Sequence, residues 1–117
     1  MNLVTQTFAI LAGIVHMGAW LLESVLWRRP ATQRLMTGRV DESRTLWLFA
    51  FNQGFYNLFL AAGAIGGVVA GNRSVTLFAC ACMAGAGLVL VVSARRLWRG
   101  ALGQAVPPLV ALLAALA

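Results

Sequence analysis

A chain of 117 residues suffices for one small domain, but with 61% hydrophobic and only 10% charged residues it lacks the polar surface that a soluble domain of this size requires. The same figures exclude a disordered chain, which would be poor in apolar residues. The formal charge of +6 comes from nine arginines and no lysine, and the arginines cluster between long apolar runs, a pattern of membrane topology rather than nucleic-acid binding.

A helix crosses the hydrocarbon layer with about 20 apolar residues. The first run, Leu3 to Trp27, is long enough to cross with tilt. It lacks arginine and is not followed by a cleavage signal, so it reads as a retained span rather than a leader. The connection from Arg28 to Thr45 holds five arginines, Pro30 and Gly38 and reads as a loop. Asp41 and Glu42 near its end suit the positive N-terminus of the next helix. The second run is Leu46 to Gly71, closed by the turn Gly71-Asn72-Arg73-Ser74, with Ser74 a candidate cap for the third helix. That third run, Val75 to Ala94, holds Cys80 and Cys82. Two positions apart on a helix, these cysteines face nearly opposite ways, which argues against a disulfide or shared metal. Arg95 to Gly100 carries three more arginines, and the last run, Ala101 to Ala117, contains Pro107 and Pro108. Those prolines predict a short or kinked final helix, with a re-entrant segment as the alternative.

The expectation is one all-α domain over residues 1–117, a polytopic bundle of four transmembrane helices in the lipid bilayer. The first and third connections share one side and hold eight of the nine arginines. The positive-inside rule places them in the cytoplasm, with both termini outside. Trp27, Trp47 and Trp98 flank these connections and predict an interfacial aromatic belt.

Polar side chains inside spans are costly and turn toward other helices. On the first span His16, Trp20, Glu23 and Trp27 fall within about 60° of arc at helical spacing. On the second, Asn52, Gln53, Tyr56 and Asn57 cover about 140°. Measured from the tryptophans at about 1.5 Å per residue, Glu23 lies near the level of Asn52 and Gln53, and His16 near that of Tyr56 and Asn57. This predicts a polar cluster between the two spans, open toward the arginine-rich side, with His16, Trp20, Glu23, Asn52, Gln53, Tyr56 and Asn57 as its binding residues. The plainer readings are that Glu23 reaches Arg28 or Arg44 at the interface, and that the histidine and amides only join helices.

Gly63, Gly67 and Gly71 repeat at intervals of four, as do Ala81 and Gly85. Small residues at this spacing permit close helix approach, within the bundle or across a homodimer seam. The chain contains no phosphate loop, no G-x-S-x-G and no H-E-x-x-H. A single histidine does not make a typical metal site, so neither a metal nor a cofactor is expected, nor a catalytic set.

The segment Asn52-Gln53-Gly54-Phe55-Tyr56-Asn57-Leu58-Phe59-Leu60-Ala61-Ala62-Gly63 closely resembles the N-Q-G-x-Y-N-x-F-L-A-A-G signature of a small bacterial membrane family, domain of unknown function family 1304. His16 with Glu23 and Trp27 resembles that family's first-helix pattern, Ala84-Gly85 its third-helix step, and Gln104 with Pro107 its final Q-x-x-P segment. The resemblance covers nearly the whole chain. It implies four transmembrane helices and directs attention to His16, Glu23, Asn52, Gln53, Tyr56 and Asn57, without implying an activity.

Three functions compete. A binding or transport protein for a small molecule or proton, in the bacterial inner membrane, would use the buried carboxylate. An accessory subunit, with a larger membrane partner, would use the cluster only to fix packing. A membrane enzyme would use His16 and Glu23 as acid and base.

Overall fold

The computed structural model describes residues 1–117 and contains five α-helices and no strand. Helix α1 (Leu3–Trp20) continues through a π-helical turn, Leu21–Val25. Helix α2 (Pro30–Thr37) is short; α3 (Arg44–Val69) and α4 (Arg73–Ser93) follow, and a 3-10 turn at Arg95–Leu97 leads into α5 (Trp98–Ala114). Four segments are long and apolar enough to cross a membrane: Leu3–Val25, Arg44–Val69, Arg73–Ser93 and Arg95–Ala114. The protein is a multi-pass, all-α membrane bundle.

The four long helices form a closed ring in which α1 and α4 each pack against both α3 and α5 and barely touch each other. At one end Asn2 Nδ2 and Arg73 Nη2 donate to the carbonyls of Ala114 (2.7 Å) and Ala115 (2.9 Å), which gathers both termini with the α3–α4 turn. At the other end Arg96 Nη2 donates to the Met36 carbonyl at 3.3 Å, which joins the two arginine-rich connections. The sequence-derived grouping of loops into two sets is thus present in three dimensions.

The centre is built from small side chains: Ala12, Ala64 and Ala79 around Met83, then Ala9, Cys80 and Ala111. Lipid supplies little hydrophobic drive between helices, so their association depends on close packing. Only 25 of 117 residues are buried, while Leu3, Phe49, Val69, Phe78 and Leu116 stand largely exposed. Water would penalise such a surface heavily; acyl chains do not.

Several local expectations are corrected. The first connection is not all loop, because Pro30 and Gly38 bracket α2: Pro30 opens it, and Gly38 caps it with φ 80°. Proline at the first helical position and glycine beyond the last are boundary signals as much as loop signals. The α4 cap is Asn72, whose side chain accepts from Val75 N at 3.1 Å, rather than Ser74. Trp27 is 4% exposed and faces into the bundle rather than outward, whereas Trp98 is exposed. Helix α5 begins at Trp98, ahead of Ala101, and carries Pro107 and Pro108 inside it. It is no re-entrant stub: Gly87 of α4 meets Ala101 and Ala105 near one end, and Thr5 Oγ1 donates to Ala111 O at 3.2 Å near the other.

Candidate functional site

The seam between α1 and α3 opens with close backbone approach. Gly13 faces Ala61 O and Ile65, and Gly54 faces Ser24, leaving no space for a side chain at either glycine. Ser24 Oγ donates to the Phe51 carbonyl at 2.7 Å and ties the end of the first span to α3. The π turn makes this possible. Leu26 N donates to Leu21 O, a five-residue step, and the wider turn lets the consecutive residues Glu23 and Ser24 both be buried. π turns of this kind are frequent at functional sites.

Glu23 Oε1 accepts from Asn57 Nδ2 at 2.7 Å in a buried bond. Its hydrogen-bond partner is thus a neutral amide on the facing helix, not Arg28 or Arg44. His16, fully buried, lies farther along α1, and its Nδ1 is 2.9 Å from the Ala12 carbonyl. A carbonyl only accepts, so Nδ1 carries the hydrogen; in the neutral ring Nε2 is then a lone-pair acceptor. That Nε2 and the indole N–H of Trp20, one helical turn away, are both buried with no hydrogen-bond partner in the protein. One is an acceptor and the other a donor. The Trp20 ring packs edge-on against Phe55 with centroids 6.2 Å apart, so the ring has a partner on α3 while its N–H has none.

The polar residues of α3 do not all join the seam. Asn57 is buried in it, while Asn52, Gln53 and Tyr56 are exposed. Asn52 donates back to Leu48 O of its own helix at 2.8 Å. These three line an outward groove with Leu48 and Phe49. An arc of about 140° is too wide for one partner helix to cover. Gln53 also borders a second groove of about 310 Å³ that Glu23, Trp27, Met36 and Thr37 help to line, under the end of α2. Glu23 and Gln53 therefore share one depth as expected, but the Glu23 carboxylate reaches one turn deeper, to Asn57. Trp20, Glu23 and Asn57 meet across the seam, and His16 is buried farther along α1; Gln53 stands at the seam's mouth, and Asn52 and Tyr56 stand outside.

The small residues also divide. Gly63 and Gly67 lie against Ala79 and Thr76 of α4. Gly71 is not a packing residue but the turn after α3, with φ 66° and open space around it. Ala81 and Gly85 are exposed and take no part in packing within the chain. Ser24 and Gly87 carry close contacts that sequence spacing did not single out. Ser24 had one readable sign, its place beside the only intramembrane carboxylate.

A family model described as Protein of unknown function (DUF1304) matches residues 10–116. No curated protein and no solved structure matches the chain. The chain belongs to the DUF1304 family.

Proposed function

We propose that this DUF1304 member is a bacterial inner-membrane protein, with both termini outside, whose α1–α3 seam binds a small polar molecule or handles a proton in a coupled transport step. One observation carries the reading: the seam holds more polar capacity than its packing consumes. His16 Nε2 and the Trp20 N–H are buried without partners, on the same span as a carboxylate that Asn57 rather than an arginine engages. A buried polar group without a partner costs about 1–3 kcal/mol, a cost that a bound polar molecule would remove. The groove beside Glu23 and Gln53 supplies a route from the arginine-rich side.

The test uses the purified chain in vesicles, with pyranine inside to follow protons and tetraphenylphosphonium as a lipophilic-cation probe. Wild-type protein is expected to bind the probe or to dissipate an imposed pH gradient. Glu23→Gln is expected to abolish that signal while circular dichroism and the elution profile stay unchanged. Equal behaviour of the two proteins would overturn the proposal.

The register-locking bond from Ser24 to Phe51 O favours the accessory-subunit reading as the second choice. That reading expects co-purification with a larger membrane partner and no effect of Glu23→Gln on transport.

A further inference from the structure

A second polar cavity, of about 340 Å³, lies where the first connection meets the ends of the spans and shares Trp27 with the groove beside Glu23. This volume falls in the range of small-ligand sites, roughly 300–1,000 Å³. Its wall includes Trp27, Arg28, Asp41, Glu42, Arg44 and Trp47. Arg28 leaves the first span and Arg44 begins α3, so both stand at the level of lipid headgroups.

The wall contains three kinds of group. The guanidinium groups of Arg28 and Arg44 both stack on the Trp47 ring, 4.6 and 5.9 Å from its centroid. The hydrogen bonds that arginines donate within the protein come from Arg73 and Arg96; Arg28 and Arg44 retain their N–H donors. Trp27 adds its largely buried ring. The third kind is carboxylate: Asp41 Oδ1 accepts from Ser43 N at 2.8 Å and keeps a second oxygen, and Glu42 is exposed. The Asp41 backbone N–H donates to Oε1 of buried Gln33 at 2.7 Å, which fixes this wall against α2. Two cations and two anions make the cavity neutral as a whole. A simple anion would meet the carboxylates unfavourably, while a zwitterion satisfies both kinds of charge. Arginine forks match phosphate oxygens, and carboxylates accept from a primary ammonium.

We infer that this cavity binds a phosphate ester bearing a primary ammonium, the chemistry of an ethanolamine phospholipid headgroup or of free phosphoethanolamine. Arg28 and Arg44 hold the phosphate, and Asp41 and Glu42 receive the ammonium. The face of Trp47 that a quaternary ammonium would seek is covered by Arg28.

The experiment places the full chain in phosphatidylcholine vesicles doped with phosphatidylethanolamine, phosphatidylglycerol or further phosphatidylcholine, the dopant carrying brominated acyl chains that quench tryptophan emission. Wild-type protein is expected to favour the ethanolamine lipid over choline by about fivefold, the effect of roughly one hydrogen bond that a primary ammonium donates to a carboxylate and a quaternary one cannot. Arg28→Gln with Arg44→Gln is expected to abolish the preference, and Arg73→Gln at the opposite end to leave it intact. Asp41→Asn with Glu42→Gln is expected to shift the preference toward glycerol. Soluble phosphoethanolamine, added to wild-type protein, separates the sources without any variant. Competition identifies a free ligand, and headgroup preference that persists without competition identifies the lipid. Absence of both headgroup preference and competition, an equal preference for glycerol and ethanolamine lipids, or wild-type behaviour of the arginine double variant would overturn the assignment.

Discussion

Glu23 and Asn57 illustrate how one pair can be cheap to keep and costly to halve. Interhelical hydrogen bonds in membranes average only about 0.6 kcal/mol, yet a buried acceptor deprived of its donor costs about 1–3 kcal/mol. Asn57→Leu is therefore expected to destabilise the protein by about 1–3 kcal/mol, and Glu23→Leu combined with Asn57→Leu by less than that single change. Unfolding in mixed detergent micelles measures both; a double variant weaker than the single one refutes the account. Trp20→Phe tests the unpartnered indole. It keeps an aromatic ring against Phe55 and removes the N–H, so stability is expected to change by less than about 1 kcal/mol while dissipation of the pH gradient falls. A large stability loss with intact dissipation would make Trp20 a packing residue.

Helix contacts are decided by a few glycines, and their sequence spacing misleads about which ones. A methyl group at Gly87 would lie 2.7 Å from Ala105 Cβ and 3.0 Å from Ala101 O, whereas one at Gly85 meets nothing within 4 Å. Gly87→Val is expected to cost about 1–3 kcal/mol through overpacking, and Gly85→Val less than about 0.5 kcal/mol. Thermal denaturation in detergent compares them, and equal losses would mean that α4 and α5 pack otherwise. Gly85 was the more conspicuous in the sequence, because it repeats with Ala81, but the four-residue interval states which residues share a face and not which face meets a neighbour. The first span shows a similar limit. A uniform 100° per residue does not foresee the π turn at Leu21–Val25, which buries the consecutive residues Glu23 and Ser24 together. Nothing in Leu-Leu-Glu-Ser-Val marks such a turn; it exists because the Ser24 bond to Phe51 O and the Glu23 bond to Asn57 are made together.

Across the whole molecule, charge and geometry give the same partition. Both arginine-rich connections lie at one end and both termini at the other. With eight arginines against one, the rule for basic loops predicts an external C-terminus. Alkaline phosphatase fused there is expected to be active and green fluorescent protein dark; the reverse result would invert the orientation. The narrow Ala-rich centre leaves α4 with Ala81 and Gly85 outward, so a homodimer seam on that face stays a proposal, tested by crosslinking through Cys82, which is half-buried.

Composition alone decided the solvent: 61% hydrophobic residues and twelve charges cannot be wetted in a chain of this length. Run lengths then set four spans, and arginine counts set which connections lie together, because these depend on sums along the chain. The family resemblance was equally legible, carried by the local string Asn52 to Gly63. Which of those polar residues face another helix was not. Asn57 enters the seam and Asn52 and Tyr56 leave it because helix rotation is set by the closest contacts, Gly54 on Ser24 and Gly13 on Ile65, made by residues about thirty to fifty positions apart. Only the packed bundle brings such pairs together, and so only tertiary structure could say which polar groups find partners and which are left with unmet hydrogen bonds.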